Sequence, residues 1–207
     1  MSKTSKIICY FIYSEHENKS GGSFYSLRDH VSVIGANFES YVFNFGKHPS
    51  TKLDKLHNFH YVPFIKWNFI SLAFSIAKIK KLQPDIIHAY DQKSLFIARI
   101  ACLFTKSVVL YTKCGGSNGS RFIPDAHCYI YFSRENYYYH KKIKPKSKIY
   151  LVPNRVADPK GEIEAVENLR KTLLLDRNYK VLLRISRVNR YYDRTFNQTF
   201  RLFKRLN

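Results

Sequence analysis

Apolar and polar residues follow two rhythms that take turns along the chain. Ile7 to Tyr13 is a short, partly β-branched apolar run that reads as a strand. After the polar stretch Ser14 to Ser20, Gly21-Gly22 opens a helical pattern in which Phe24, Leu27, Val31 and Ile34 share a side, with Gly35 as its stop. Glu39 to Phe45 reads as a second strand. Trp67 to Leu82 predicts a helix whose Asn68, Ser71, Ser75 and Lys78 form one narrow polar stripe, so most of its circumference is expected to be buried. Past Pro84 the rhythm continues with a strand at Asp85 to Tyr90, an apolar helix at Lys93 to Phe104, and a β-branched strand at Ser107 to Thr112. Cys128 to Phe132 follows as a strand, then a short helix capped by Ser133, then a strand at Ile149 to Val152 closed by Pro153-Asn154.

Strands separated by helix-length segments need crossover connections, so the fold class is α/β: a Rossmann-like parallel sheet with helices on both faces. This first domain is expected over residues 1–157. Residues 158–178 read as a connector, turn-like at Asp158 to Gly161 and then an amphipathic helix from Glu162 to Leu175 with Ile163, Val166, Leu169 and Leu173 on one side. Residues 179–207 add a strand, Lys180 to Ile185, and a helix marked by Phe196, Thr199, Phe200, Phe203 and Leu206. One strand and one helix are less than a domain, which predicts the start of a truncated second one.

Charge narrows the class of partner. Thirty-five Lys and Arg against fifteen Asp and Glu leave a formal charge of +20 over 207 residues, a field that favours nucleic acid, acidic lipid or phosphorylated substrates. The seven-residue apolar run near the start lacks a cleavage site, and no uninterrupted apolar stretch reaches the length of a membrane-spanning helix. Cys9, Cys102, Cys114 and Cys128 are scattered and lack C-x-x-C spacing, which predicts reduced thiols, a cytoplasmic location, and neither a disulfide frame nor a metal site.

In parallel sheets ligands bind beyond the carboxyl ends of strands, which directs attention to four loops. Gly21-Gly22-Ser23 can present bare backbone amides to phosphate or sugar hydroxyls, although a plain helix entry also explains two glycines. Pro84 to Asp91 delivers His88 near a strand end and Asp91 just past it; His88 reads either as a base or as a satisfied core histidine, and Asp91 either as a ligand group or as a helix cap. Thr112 to Gly119, with Lys113, Cys114, Gly115, Gly116 and Asn118, is dense in glycine and suits close approach of a ligand. There Cys114 is expected to be accessible, with its thiol pKa lowered by Lys113. Finally, Val152 to Val156 leaves a strand, and Arg187 stands after another strand where its planar guanidinium can hold a diphosphate.

The ordered set Pro84-Asp85-Ile86-Ile87-His88-Ala89-Tyr90-Asp91, the glycine loop after Tyr111-Thr112, Phe132-Ser133, Val152-Pro153-Asn154 and Arg184-Ile185-Ser186-Arg187 resembles the retaining, family-four-like GT-B glycosyltransferases of bacterial surface polysaccharide synthesis. The resemblance covers nearly the whole chain and identifies it with the N-terminal half of such an enzyme. It implies a nucleotide-sugar donor, a glycan or lipid-linked acceptor, and no metal or other cofactor. It places Gly21, Gly22 and Arg187 at the donor, with either Arg190 or Arg194 standing in for the charge of a family lysine. It sets catalytic His88, together with Asp91, Lys113, Cys114, Gly115, Gly116 and Asn118, at the acceptor. The chain departs from the family at Lys113-Cys114, where relatives often carry a His, at Arg155 in place of Gly, and in lacking any two Glu separated by seven residues. These departures imply a half enzyme, inactive alone, with a separate C-terminal half as one possible partner.

Two other classes are weighed against this one. Tyr138-Tyr139-His140-Lys141-Lys142 with Lys144, Lys146 and Lys148 resembles a basic patch for nucleic acid, but no nucleic-acid-binding signature accompanies it. A noncatalytic remnant is the third reading. Phe64, Trp67, Phe69 and Ile70 near lysines suit peripheral attachment to an anionic membrane on the inner face of the cell.

Overall fold

The computed structural model describes residues 6–15, 21–34, 38–64, 68–115, 123–152, 163–172 and 174. The chain divides into two units, Met1–Arg155 and Val156–Asn207. In the first unit β1 (Lys6–Ser14), β2 (Phe38–Gly46), β3 (Phe59–Pro63), β4 (Ile86–Ala89), β5 (Val108–Lys113), β6 (Cys128–Tyr131) and β7 (Lys148–Leu151) form one sheet in the order β3-β2-β1-β4-β5-β6-β7. Every pair is parallel. The Rossmann-like α/β expectation is borne out.

Helices α1 (Gly22–Ile34), α2 (Phe69–Leu82), α3 (Gln92–Cys102) and α4 (Arg134–Ile143) connect the strands. Alternation along β1 sends Cys9 and Phe11 to one side of the sheet and Tyr10 and Ile12 to the other, so the central strand feeds two cores at once. On the first side Phe11 meets Phe43 and Phe45 edge-on at 5.6 and 5.1 Å, beneath Leu72, Ile76 and Ile79 of α2 and Leu95, Ile97 and Ala98 of α3. On the second, Phe24 and Leu27 of α1 and Leu53 cover Tyr10, Ile12 and Val42.

Local chemistry sets the element ends. Asn68 caps α2 through its side chain, and Gln83 closes that helix in the left-handed region at φ 48°, behind Lys80 and Lys81, which complement the helix dipole. Ser133 caps α4. Gly46 ends β2 at φ 132°, and a Cβ there would stand 1.9 Å from the Ser14 carbonyl oxygen, so only glycine fits.

Two expectations need correction. β3 is a strand that the apolar pattern does not reveal: five residues ending in Pro63, only one of them buried, held at the sheet edge by pairing with Val42 to Gly46. α2 is not buried around most of its circumference. Leu72, Ser75, Ile76 and Ile79 face the core, whereas Ile70 and Phe74 are exposed. Ser75 tolerates burial because its hydroxyl donates to the Ser71 carbonyl at 2.8 Å, within the helix.

In the second unit the described element is α5 (Ile163–Thr172), inside the helix expected from Glu162 to Leu175. The strand expected at Lys180 to Ile185 and the helix after it lie outside the described residues.

Candidate functional site

In this strand order β1 and β4 are neighbours from which the chain departs in opposite directions, β1 toward β2 and β4 toward β5. Such a switch point leaves a crevice at the carboxyl ends of its two strands. The start of α1 follows β1, and Asp91 and α3 follow β4. Lys113-Cys114-Gly115 leaves the adjacent β5, and the Ser133 cap of α4 leaves β6.

Asp91 ties this edge together. One carboxylate oxygen accepts from Ser94 N at 2.8 Å, and the Ser94 hydroxyl lies 3.2 Å from Asp91 N, a complete capping box for α3. The other oxygen accepts from Tyr13 N at 2.7 Å, fastening the end of β1 to the start of α3. Beside it the Lys93 ammonium pairs with Glu15 and lies 4.5 Å from the centre of the Tyr13 ring. On the β2 side, Asn44 Nδ2 donates to Ser14 Oγ at 2.9 Å while Asn44 Oδ1 accepts from Ser50 N at 2.7 Å, which anchors the loop after β2. The sequence signal for that anchor is a lone Asn inside an apolar strand rather than a residue in a loop.

His88 does not project into the crevice. Strand alternation turns it under α1, 4% exposed, where Nε2 pairs with Thr112 Oγ1 at 2.7 Å. Its ring lies 4.5 Å from that of Tyr90, 5.7 Å from Tyr10 and 5.9 Å from His30. Burial, with His30 close by, pushes its pKa down to about 3. A buried imidazole held neutral by its surroundings is a packing group, so of the two readings of His88 the satisfied core histidine fits the structure and the base does not. His30, whose Nδ1 meets the Tyr90 hydroxyl, completes a cluster that the sequence pattern left unassembled.

Lys113 and Cys114 diverge because consecutive strand residues point to opposite faces. Lys113 Nζ reaches Asn136 Oδ1 at 3.0 Å, near the start of α4, and partial burial lowers its pKa while Glu135 opposes that shift. Asn136, 3% exposed, in turn donates to Ser133 Oγ at 2.8 Å. Cys114 packs against the core under α1. Burial pushes its thiol up to about 12, only partly offset by a hydrogen bond with Ser26. The expected accessible, acidified thiol is therefore replaced by a half-buried one of raised pKa, since the ammonium meant to acidify it lies on the other face.

Gly22 and Gly115 have open space where a Cβ would stand, and at Gly21 a Cβ would meet only Ser23 Oγ at 3.7 Å, among the described residues. None of the three is required by local packing. The edge thus gathers Gly21, Gly22, Asp91, Lys113, Cys114 and Gly115 onto adjoining strand exits. Gly116, Asn118, Arg187 and Arg190 lie outside the described residues. Among the described residues no group of three or more His, Cys, Asp or Glu is placed to hold a metal ion, and no helix is long and apolar enough to cross a membrane.

No protein-family model matches the chain, and no curated protein sequence does. Solved structures do share its fold. A glycosyltransferase from Rickettsia africae superposes with a TM-score of 0.62 at 16% identity, over 90% of this chain and 54% of that one. The lipopolysaccharide outer core galactosyltransferase WaaB gives 0.57 at 15% identity, over 75% of this chain and 50% of that one. Anabaena HepE, solved with UDP and glucose, gives 0.55 at 15% identity, over 81% of this chain and 50% of that one. The chain spans about half the length of these structures, and its fold is that of the corresponding half of GT-B glycosyltransferases.

Proposed function

We propose that this chain forms one half of a glycosyltransferase that moves a sugar from a nucleotide-sugar donor to a growing surface glycan or a lipid-linked acceptor. The observation that carries the reading is the β1/β4 switch point, with its glycine helix start and polar strand exits, in a fold shared with two glycosyltransferase structures and with HepE bound to UDP and glucose. HepE has also been solved with UDP-glucose, which supports a nucleotide-sugar donor here.

In this proposal the backbone amides at Gly21-Gly22 approach the donor phosphates, because amides at a helix start carry partial positive charge. Lys113, Gly115, Gly116 and Asn118 border the acceptor, and Arg187 and Arg190 meet the diphosphate. Asp91 and His88 act by position: Asp91 locks the ends of β1 and α3 together, and His88 supports the floor under α1. A proton leaving the acceptor hydroxyl goes to a group other than His88. No metal or further cofactor enters the scheme. Most donor contacts are assigned to a complementary half, continuous with this chain or encoded separately, so the 207-residue chain alone is expected not to turn over donor. Its place of work in this scheme is the cytoplasm, at the inner face of the cell membrane.

Titrating isotope-labelled chain with UDP and UDP-glucose, with amide shifts read by NMR, tests the proposal. Weak binding, in the range of about 1 mM or above, should perturb the amides of Gly21 and Gly22 first. Gly22→Ala should abolish those shifts without lowering stability. Shifts confined to the opposite edge of the sheet, or none at saturating nucleotide, would sink the reading.

A further inference from the structure

Helices α2 and α3 pack side by side over one face of the sheet. Both are crossovers between parallel strands and so run the same way. Ile70 and Phe74 on α2 and Phe96 on α3 therefore lie toward the carboxyl edge of the sheet, while Leu103 and Phe104 follow the last turn of α3 at the opposite edge. These side chains are 70%, 74%, 51%, 77% and 51% exposed in that order. At about 150–250 Å² for a large apolar side chain, they leave on the order of 600 Å² of apolar surface in water, the upper end of what a typical monomer carries in one patch. Homodimer interfaces are about 65% apolar, so this is the apolar content of an interface of roughly 900 Å² per partner, where a standard one takes about 800 Å². The rim carries both signs of charge. Lys80 and Lys81 stand in the last turn of α2, Glu15 pairs with Lys93 at the start of α3, and Asp125 feels the charge of Arg99 toward its end.

We infer that this face joins two copies of the chain about a twofold axis running across α2 and α3, with Phe74 of each copy seated against Leu103 of the other. The inference does not depend on whether the chain transfers sugar. A twofold interface uses the same patch on both copies, so the patch must complement itself when turned end for end. This one does. Its apolar side chains stand in two groups, Ile70, Phe74 and Phe96 at one end and Leu103 and Phe104 at the other, and the turn lays each group on its counterpart. The same turn carries Lys80 and Lys81 of one copy toward Glu15 of the other and sets the facing helices antiparallel, which opposes their dipoles. Glu15 and Asp125 on the rim repel an anionic leaflet or a nucleic acid, whereas a protein surface of mixed sign accommodates them.

Sedimentation equilibrium of the purified 24.5 kDa chain tests this. Twice that mass should dominate at about 10 μM and above, the weak end of what an interface of this size supports. Phe74→Asp and Leu103→Lys, each alone, should weaken the dimer at least about 30-fold, because each change enters the interface twice. Mixed in equal amounts, the two variants should recover affinity to within about tenfold of the original, since the mixed pair sets the new carboxylate against the new ammonium at one contact and keeps Phe74 against Leu103 at the other. Both positions are exposed, so circular dichroism and melting should show the variants folded. Val33→Asp, at an equally exposed position on α1 across the sheet, should leave the dimer within about twofold. A chain that stays monomeric up to about 100 μM would overturn the inference. So would a dimer untouched by both variants, or a mixture that fails to reassociate. Monomers that float with phosphatidylglycerol vesicles, and lose that binding in Phe74→Asp, would assign the face to lipid instead.

Discussion

Lowering the pH from 7 to 5 should destabilise the first unit strongly, and His88 and His140 should account for most of the effect. Both imidazoles are buried, at 4% and 1% exposure, and burial is the leading cause that pushes their pKa values down, to about 3 and about 4. In the unfolded chain each titrates near the ordinary value of about 6.5, so below that pH the unfolded state binds protons that the folded state refuses. A depressed folded pKa therefore contributes stability that is present above pH 6.5 and is lost as the pH falls toward the folded value. Between pH 7 and 5 the loss is about 2 kcal/mol for each histidine, about 4 kcal/mol together, against a total that is ordinarily about 5–15 kcal/mol. Urea denaturation at the two pH values measures it. His88→Asn should remove about half of the pH dependence, although the variant will be weaker at pH 7 because Thr112 loses its partner. Equal stability at pH 7 and pH 5 would refute the reasoning, as would a full pH slope retained in His88→Asn. A slope centred near neutral pH in the folded protein would return His88 to the role of a base.

Gly46→Ala should cost about 3 kcal/mol or more, because the new methyl would collide with the Ser14 carbonyl in a backbone conformation hostile to side chains; a change in urea midpoint worth less than about 1 kcal/mol would contradict the geometry. Asp91→Ala should cost about 2–4 kcal/mol, since it removes the α3 cap and leaves Tyr13 N without its acceptor, and Asp91→Asn should recover part of this; hydrogen exchange at Tyr13 should accelerate in the alanine variant. The Cys114 thiol should react with a maleimide at pH 8 about 100-fold or more slowly than in the urea-unfolded chain, as read by peptide mass spectrometry, and labelling ahead of the other three cysteines would show that the thiol is not held in the core.

Local physics made much of this protein legible. Period-two and period-3.6 patterns located β1, β2, β4 to β7 and α1 to α5 to within a few residues, since those patterns follow directly from backbone geometry and from the separation of apolar from polar side chains. Parallel pairing could be argued because helix-length segments separate most of the strands, and the glycine-bearing exits could be located because strand ends follow from strand runs. The caps Asp91 and Ser133 stand in their sequence positions for the same local reason, whereas Asn68, read as part of a polar stripe, caps α2 instead.

What lay beyond the sequence was everything that depends on which face meets which neighbour. β3 is a strand only because β2 offers it an edge; five residues with one buried side chain have no pattern of their own. The outward turn of α2 is decided by where the sheet lies: periodicity counts apolar positions, but it cannot say that Leu72 and Ile76 meet the core while Phe74 meets solvent. His88, Thr112 and Tyr90 form one cluster because β4 and β5 pair in a register that sets His88 opposite Leu110 and brings the Thr112 hydroxyl within reach. The same pairing, with α1 laid over it, buries the Cys114 thiol away from Lys113. Hydrogen-bonding partners and solvent exposure are properties of pairs of segments distant in sequence, so burial and protonation at this edge became definite only once the sheet had closed around it.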